Sequence, residues 1–158
     1  MAADFPRLLE ALAQHKVDYV IVGGVALVLH GSSRVTQDLD ICYARHPANL
    51  AALAAALSAF RPTLRGAPPD LPFRVDAATL NSGLNFTLSS DAGDIDLLGE
   101  LSGVGGYDAL AASAETMDLY GRQVRVMDLD ALERAKRAAG RLKDLADLAE
   151  IVEIRKRR

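Results

Sequence analysis

Apolar positions recur at helical spacing from the start of the chain. Leu8, Leu9 and Leu12 follow Asp4 as an N-cap and Pro6 in the first turn, which predicts a helix to about Lys16. Residues 17–22 form a largely apolar run of strand length, broken by Gly23-Gly24. A second apolar run, 25–29, closes at His30-Gly31 and reads as a short helix packed on that strand. Asp38-Leu39-Asp40-Ile41-Cys42 alternates polar and apolar, the period of a strand with one face on the core and one face open. Residues 47–60 are an Ala/Leu-rich helix. From Arg61 to about Leu71, Pro62, Gly66, Pro68 and Pro69 predict a loop.

The second half alternates differently. Residues 84–90 and 94–98 are strand-like, and Asp91-Ala92-Gly93 between them is the kind of short link that closes a hairpin. The Gly-rich piece 99–106 reads as a loop leading to a short helix. Residues 115–120 and 122–127, joined at Gly121, predict a second hairpin, followed by helices over about 129–139 and 143–154.

Half of the 158 residues are hydrophobic, mostly Ala, Leu and Val, with no Trp. That suits one domain over 1–158 of the α/β (α+β) class, with a small mixed sheet, flanking helices and C-terminal helices over about 129–157. A net charge of −3 marks neither a nucleic-acid binder nor a membrane-surface protein. The basic run Arg155-Lys156-Arg157-Arg158 reads as a solvated helix end, with a contact to acceptor RNA as the alternative. A single Cys42 excludes an internal disulfide, and no Cys/His cluster suggests zinc. Residues 1–6, from Met1 to Pro6, lead into a charged amphipathic stretch and no apolar run is long enough to span a bilayer, so a cytoplasmic protein with no membrane contact is expected.

The candidate chemistry lies in the carboxylates. On a strand, residues two apart point the same way, so Asp38 and Asp40 share one face with Leu39 and Ile41 buried behind them, a pair expected on a sheet edge. Two like charges so placed favour a cation between them, and oxygen ligands select Mg2+ or Mn2+. The pattern recurs at Asp94-Ile95-Asp96-Leu97, on a strand that could lie beside the first. Asp94 follows the turn and Asp96 sits deeper, so Asp96 is the expected third catalytic and metal-binding carboxylate, with Asp94 second in line. Three such groups suit phosphoryl transfer. Gly23-Gly24, after a strand, would let phosphate oxygens approach backbone N–H groups, although neither a dinucleotide fingerprint nor a Walker loop is present.

Taken in order, Val20-Ile21-Val22-Gly23-Gly24, His30-Gly31-Ser32-Ser33-Arg34-Val35-Thr36 and Asp38-Leu39-Asp40-Ile41 resemble the signature of the polymerase-β-type nucleotidyltransferase superfamily. That signature is a hydrophobic residue, Gly and Gly or Ser, a spacer of about a dozen residues, and Asp-x-Asp or Asp-x-Glu between hydrophobics; here the spacer is the thirteen residues 25–37. Within the superfamily the chain is similar to small bacterial abortive-infection and toxin–antitoxin nucleotidyltransferases. Gly93-Asp94-Ile95-Asp96-Leu97-Leu98 resembles the third-carboxylate strand, and Gly140-Arg141-Leu142-Lys143-Asp144 a C-terminal motif. Family toxins often carry a further helical domain for which this chain has little room.

The resemblance implies Mg2+- or Mn2+-dependent transfer of an NMP group from an NTP to a hydroxyl on RNA, protein or a small molecule, with a toxin–antitoxin partner among the implied contacts. Gly23, Gly24, Arg34, Thr36, Lys136 and Asp144 would contact the nucleotide. Bland roles stand beside these. Lys136 falls inside the apolar stripe of its helix and could reach triphosphate oxygens or simply snorkel. Arg34 could pair with Asp38, and Asp144 could serve the start of the last helix. Arg134 and Arg137 are expected on the solvated side, and His15, His30 and His46 are given no chemistry. A non-catalytic nucleotide-binding or antitoxin module, and a phosphohydrolase using the same carboxylates on water, are the competing functions.

Overall fold

A computed structural model describes residues 2–68 and 70–158; Met1 and Pro69, assigned above to the N-terminal stretch and the loop, lie outside the described residues. Helix α1 (Phe5–Gln14) opens where the sequence predicts: the Asp4 side chain accepts from the Arg7 N–H at 3.3 Å and Leu8, Leu9 and Leu12 are buried. Strand β1 (Tyr19–Val22) runs directly into α2 (Gly23–Leu29), which begins at the glycine pair rather than after it. Then come β2 (Leu39–Tyr43) and α3 (Pro47–Ser58), capped by His46, whose ring accepts from the Asn49 N–H.

The expected loop contains a two-residue strand, β3 (Thr63–Leu64), because its backbone groups pair with β4 (Asn85–Ser89) despite flanking Pro and Gly. Between them lies α4 (Ala77–Ser82). Strand β5 (Ile95–Leu98) completes the first hairpin with β4. The Gly-rich piece holds a small ladder, β6 (Glu100–Leu101) with β7 (Gly105–Gly106), before α5 (Tyr107–Ser113). The second hairpin, β8 (Glu115–Leu119) with β9 (Arg122–Val126), and the helices α6 (Leu129–Ala139) and α7 (Leu142–Lys156) follow.

Among the described residues seven strands form one mixed sheet in the order β3-β4-β5-β2-β1-β9-β8. Strand β2 is therefore interior, antiparallel to β1 and parallel to β5, and the Asp-x-Asp strand is not on a sheet edge. Its carboxylates still reach solvent because they sit at the strand's start, whereas Cys42 and Tyr43 further on are fully buried. Cys42 is a free thiol, pushed up to about 12 by burial. Helices α6 and α7 pack on each other, and α6 packs against α2. No helix among the described residues is long and apolar enough to cross a membrane.

The C-terminal basic run is tied down within the chain. Arg155 pairs with Asp130 at 2.6 Å, Lys156 with Glu153 at 3.3 Å, and Arg157 donates to the Gly31 carbonyl at 3.1 Å. Arg158 donates to His30 Nδ1 at 2.9 Å, while the buried His30 Nε2 donates to the Met127 carbonyl at 2.7 Å. A helix end with internal partners thus accounts for these charges.

Candidate active site

Parallel pairing of β2 with β5 places Asp40 directly opposite Asp96, in the same register that aligns Leu39 with Ile95 and Ile41 with Leu97. The apolar partners go into the core, so the acids are left on the opposite face together. Asp38 lies one residue before β2 and Asp94 one before β5. Asp40 is mostly buried, and its carboxyl is pushed up to about 7, first by burial and then by the charges of Asp96 and Asp38. Burial also raises Asp96, against the pull of Arg65.

The glycine pair has a steric cause that the sequence did not show. Gly23 has φ +68°, and a Cβ there would collide with the Asp40 carboxylate; at Gly24 a Cβ would come 2.9 Å from Thr36 Oγ1. The pair lets the strand-to-helix turn lie against the acid strand. Gly23→Ala is accordingly expected to cost about 1–3 kcal/mol in denaturant unfolding. A loss under about 0.5 kcal/mol would show that the turn can relax.

Above these residues opens a cleft of about 600 Å³, bordered by Gly23, Gly24, Arg34, Thr36, Asp38, Asp40, Lys136 and Asp144. Leu98, Leu101, Met127, Leu132 and Ala135 supply an apolar wall. All the predicted nucleotide-site residues and two of the three predicted acids thus share one cleft. Asp96 does not border it.

The fold has solved counterparts. The chain is similar to the lincosamide antibiotic adenylyltransferase LnuA, solved with lincomycin bound, with a TM-score of 0.64 and 14% identity over 98% of this chain and 99% of that one. A candidate nucleotidyltransferase from Thermotoga maritima gives a TM-score of 0.57 and 16% identity over 94% and 90%. The antibiotic-resistance factor ANT(2'')-Ia gives 0.56 and 15% over 95% and 81%. This chain has the nucleotidyltransferase fold. No protein-family model and no curated protein matches its sequence.

Within the nucleotidyltransferase fold, two cations predicted to meet phosphate have partners in the chain. Lys136 Nζ lies 2.8 Å from Asp147 Oδ2 and 3.6 Å from Asp144 Oδ1, so its inward position is neither bare nor mere snorkelling. Arg34 pairs with Asp147 Oδ1, not with Asp38. Asp147 and Asp144 are both buried, one helical turn apart on α7. Asp144 also closes a capping box: the Arg141 Nε donates to Oδ2 at 2.7 Å and the Arg141 backbone N–H at 3.1 Å.

These Arg141 bonds hold Asp144 down to about 2. A carboxyl lowered in the folded chain stabilises it fully above the unfolded value near pH 4, and that contribution is lost as pH falls from about 4 to about 2. Asp144→Asn should therefore flatten the acid limb of the thermal unfolding midpoint over this window. An unchanged acid limb would mean that another carboxylate governs it.

Two polar residues at the site went unnoticed in the sequence. Asp147 carried a signal, since it lies three residues after Asp144 in an α-helix. Arg65 carried none: it comes from the Pro/Gly-rich segment and reaches Asp96 Oδ1 at 2.8 Å, Asp94 Oδ2 at 3.3 Å and Asp38 Oδ2 at 3.9 Å. Its Nη2 also donates to the Leu88 carbonyl at 2.6 Å.

The donor chemistry fits a hard divalent ion. Asp40 Oδ1 is buried with no hydrogen-bond partner among the described residues, and Asp38 stands beside it on the same face. The third oxygen is engaged elsewhere, because Asp96 holds the Arg65 guanidinium. Among the described residues no three His, Cys, Asp or Glu side chains already surround one point.

Proposed function

We propose that residues 1–158 act as one nucleotidyltransferase-like domain that moves an NMP group from an NTP to a hydroxyl acceptor. The observation carrying this reading is the buried Asp40 Oδ1, without a hydrogen-bond partner among the described residues, beside Asp38 in a cleft also lined by Lys136 and Arg34. Carboxylates and cations lining one cleft suit a bound metal–triphosphate. When bound, Mg2+ or Mn2+ would neutralise phosphate charge and lower the pKa of the attacking hydroxyl.

In this reading Asp38 and Asp40 hold the ions, and Asp96 completes the set and accepts the proton of the acceptor hydroxyl. Lys136 and Arg34 hold the triphosphate oxygens, with Thr36 and the Gly23-Gly24 turn bordering the same volume. Asp144 supports Lys136 rather than meeting the nucleotide itself. The apolar wall of Leu98, Leu101 and Met127 can seat a base or an apolar part of the acceptor.

A small-molecule acceptor is supported by the coextensive similarity to LnuA, a lincosamide adenylyltransferase. RNA or protein acceptors, a toxin–antitoxin partner and a cytoplasmic site of action are the other parts of the family reading. Incubating the protein with each labelled NTP, Mg2+ and acceptors of the three classes tests it. Labelled product and released pyrophosphate are expected; free phosphate instead would indicate hydrolysis.

One observation favours a second reading. Arg65 already neutralises part of the acid cluster, as it would in a module that binds nucleotide without turnover. NTP binding by calorimetry that ignores Mg2+, with no labelling of any acceptor, would establish that reading.

A further inference from the structure

Four carboxylates, Asp38, Asp40, Asp94 and Asp96, gather at the start of two adjacent strands, and the chain sends one guanidinium among them. The Arg65 backbone N–H is bonded to the Thr87 carbonyl at 2.9 Å, so the base of the side chain is anchored on β4. From there the guanidinium turns toward the acids, partly shielded from water. It contacts Asp96 and Asp94 within 3.3 Å and Asp38 at 3.9 Å, but no ion pair joins it to Asp40 among the described residues. A guanidinium is always charged and its fork spans several carboxylates at once. The Arg65 Nη2 is shared between the Leu88 carbonyl at 2.6 Å and Asp96 Oδ1 at 2.8 Å, so it can give up the acid and keep its hold on β4.

We propose that Arg65 is an internal counter-ion for the acid cluster. It holds Asp96 away from the cleft in the nucleotide-free chain and yields it when a divalent ion enters. This rests on the metal-binding reading above and adds a regulator to it: the chain's own cation sets metal affinity low until a metal–triphosphate arrives with enough binding energy to displace it. The same guanidinium offsets the charge of three of the four crowded carboxylates, Asp38, Asp94 and Asp96, when no ion is bound. Arg65 is thus a positioning residue, acting through Asp96.

The test is Mn2+ binding to the nucleotide-free full chain, read from the paramagnetic resonance of free Mn2+. Arg65→Met, which keeps an apolar stem, is expected to bind Mn2+ at least about tenfold more tightly than the wild type, because the competing charge is gone. Arg65→Lys should fall between, since a point charge cannot bridge the acids. Adding Asp96→Asn to Arg65→Met should remove the gain. Equal or weaker Mn2+ binding by Arg65→Met, or a gain that survives Asp96→Asn, overturns the proposal.

A second measurement needs only the wild type. In a crystal soaked with Mn2+, Arg65 should have left Asp96; Mn2+ on Asp38 and Asp40 with Arg65 still on Asp96 also overturns it. Wild-type binding with an indifferent Arg65→Met variant removes the counter-ion role and leaves the metal reading standing. If neither protein takes up Mn2+, with or without NTP, both fall.

Discussion

Asp40→Asn is expected to lower the proposed nucleotidyl transfer by at least about a thousandfold while making the metal-free protein more stable above pH 7. The first effect follows from its place: it holds the buried, unpartnered oxygen opposite Asp96. The second follows from its charge. Asp40 is pushed up to about 7 in the folded chain, against roughly 4 when unfolded. Between those values the folded chain binds more protons than the unfolded one, so stability falls as pH rises through about 4 to 7. Replacing the carboxylate with an amide removes that penalty, on the order of 1–3 kcal/mol at pH 8.

The paired outcome is diagnostic, since damage to the fold would lower activity and stability together. Thermal unfolding in chelator across pH 4–8, beside transfer assays with Mg2+, provides both readings. A variant that retains transfer within tenfold would remove Asp40 from the chemistry. One that loses stability at pH 8 would mean that its charge is compensated in the folded chain.

The second large effect is expected at Asp147, which no motif singled out. It is buried and holds Lys136 at 2.8 Å from α6 and Arg34 from the loop before β2, joining three segments of the cleft wall. Asp147→Ala leaves Lys136 enclosed without its main partner. Breaking a buried pair of this kind costs about 3–5 kcal/mol, reduced here because Lys136 keeps some contact with water and with Asp144, so roughly 2–4 kcal/mol is expected. For a chain of this size that lowers the unfolding midpoint by roughly 5–15 °C.

Function should suffer beyond stability, because the two cations proposed to hold the triphosphate lose the group that aims them. Nucleotide affinity should fall by about tenfold or more, measured at a temperature where the variant is fully folded. Asp147→Glu, keeping the charge, should recover part of both losses. A change in stability below about 1 kcal/mol, with nucleotide affinity unaltered, would reduce this network to surface decoration.

Much of the site is legible in the sequence. The period-two pattern of β2 buried Leu39 and Ile41 and so left Asp38 and Asp40 on one face; the same rule worked for Asp96 on β5. The Asp4 cap, the two hairpins and the terminal helices were also readable, because each depends on residues within a few positions of one another. Burial of Lys136 was visible in the stripe of α6. Its partner was only half visible, as a carboxylate one turn beyond Asp144.

Contacts between distant segments were not legible. Sheet order put β2 in the interior rather than at an edge, and that depends on which strands pair, something local periodicity does not encode. Thr63–Leu64 became a strand only because β4 offered it unpaired backbone groups. The glycine pair reads as a phosphate cradle, and what the sequence did not show is that Asp40 and Thr36 pack against it. Arg65 is the clearest case. Thirty-one residues separate it from Asp96, and nothing in its own neighbourhood hints at an acid cluster. Which residues face the core follows from local order along the chain; which charges neutralise one another is decided when folding brings separate segments into a medium too dry to leave them unpaired.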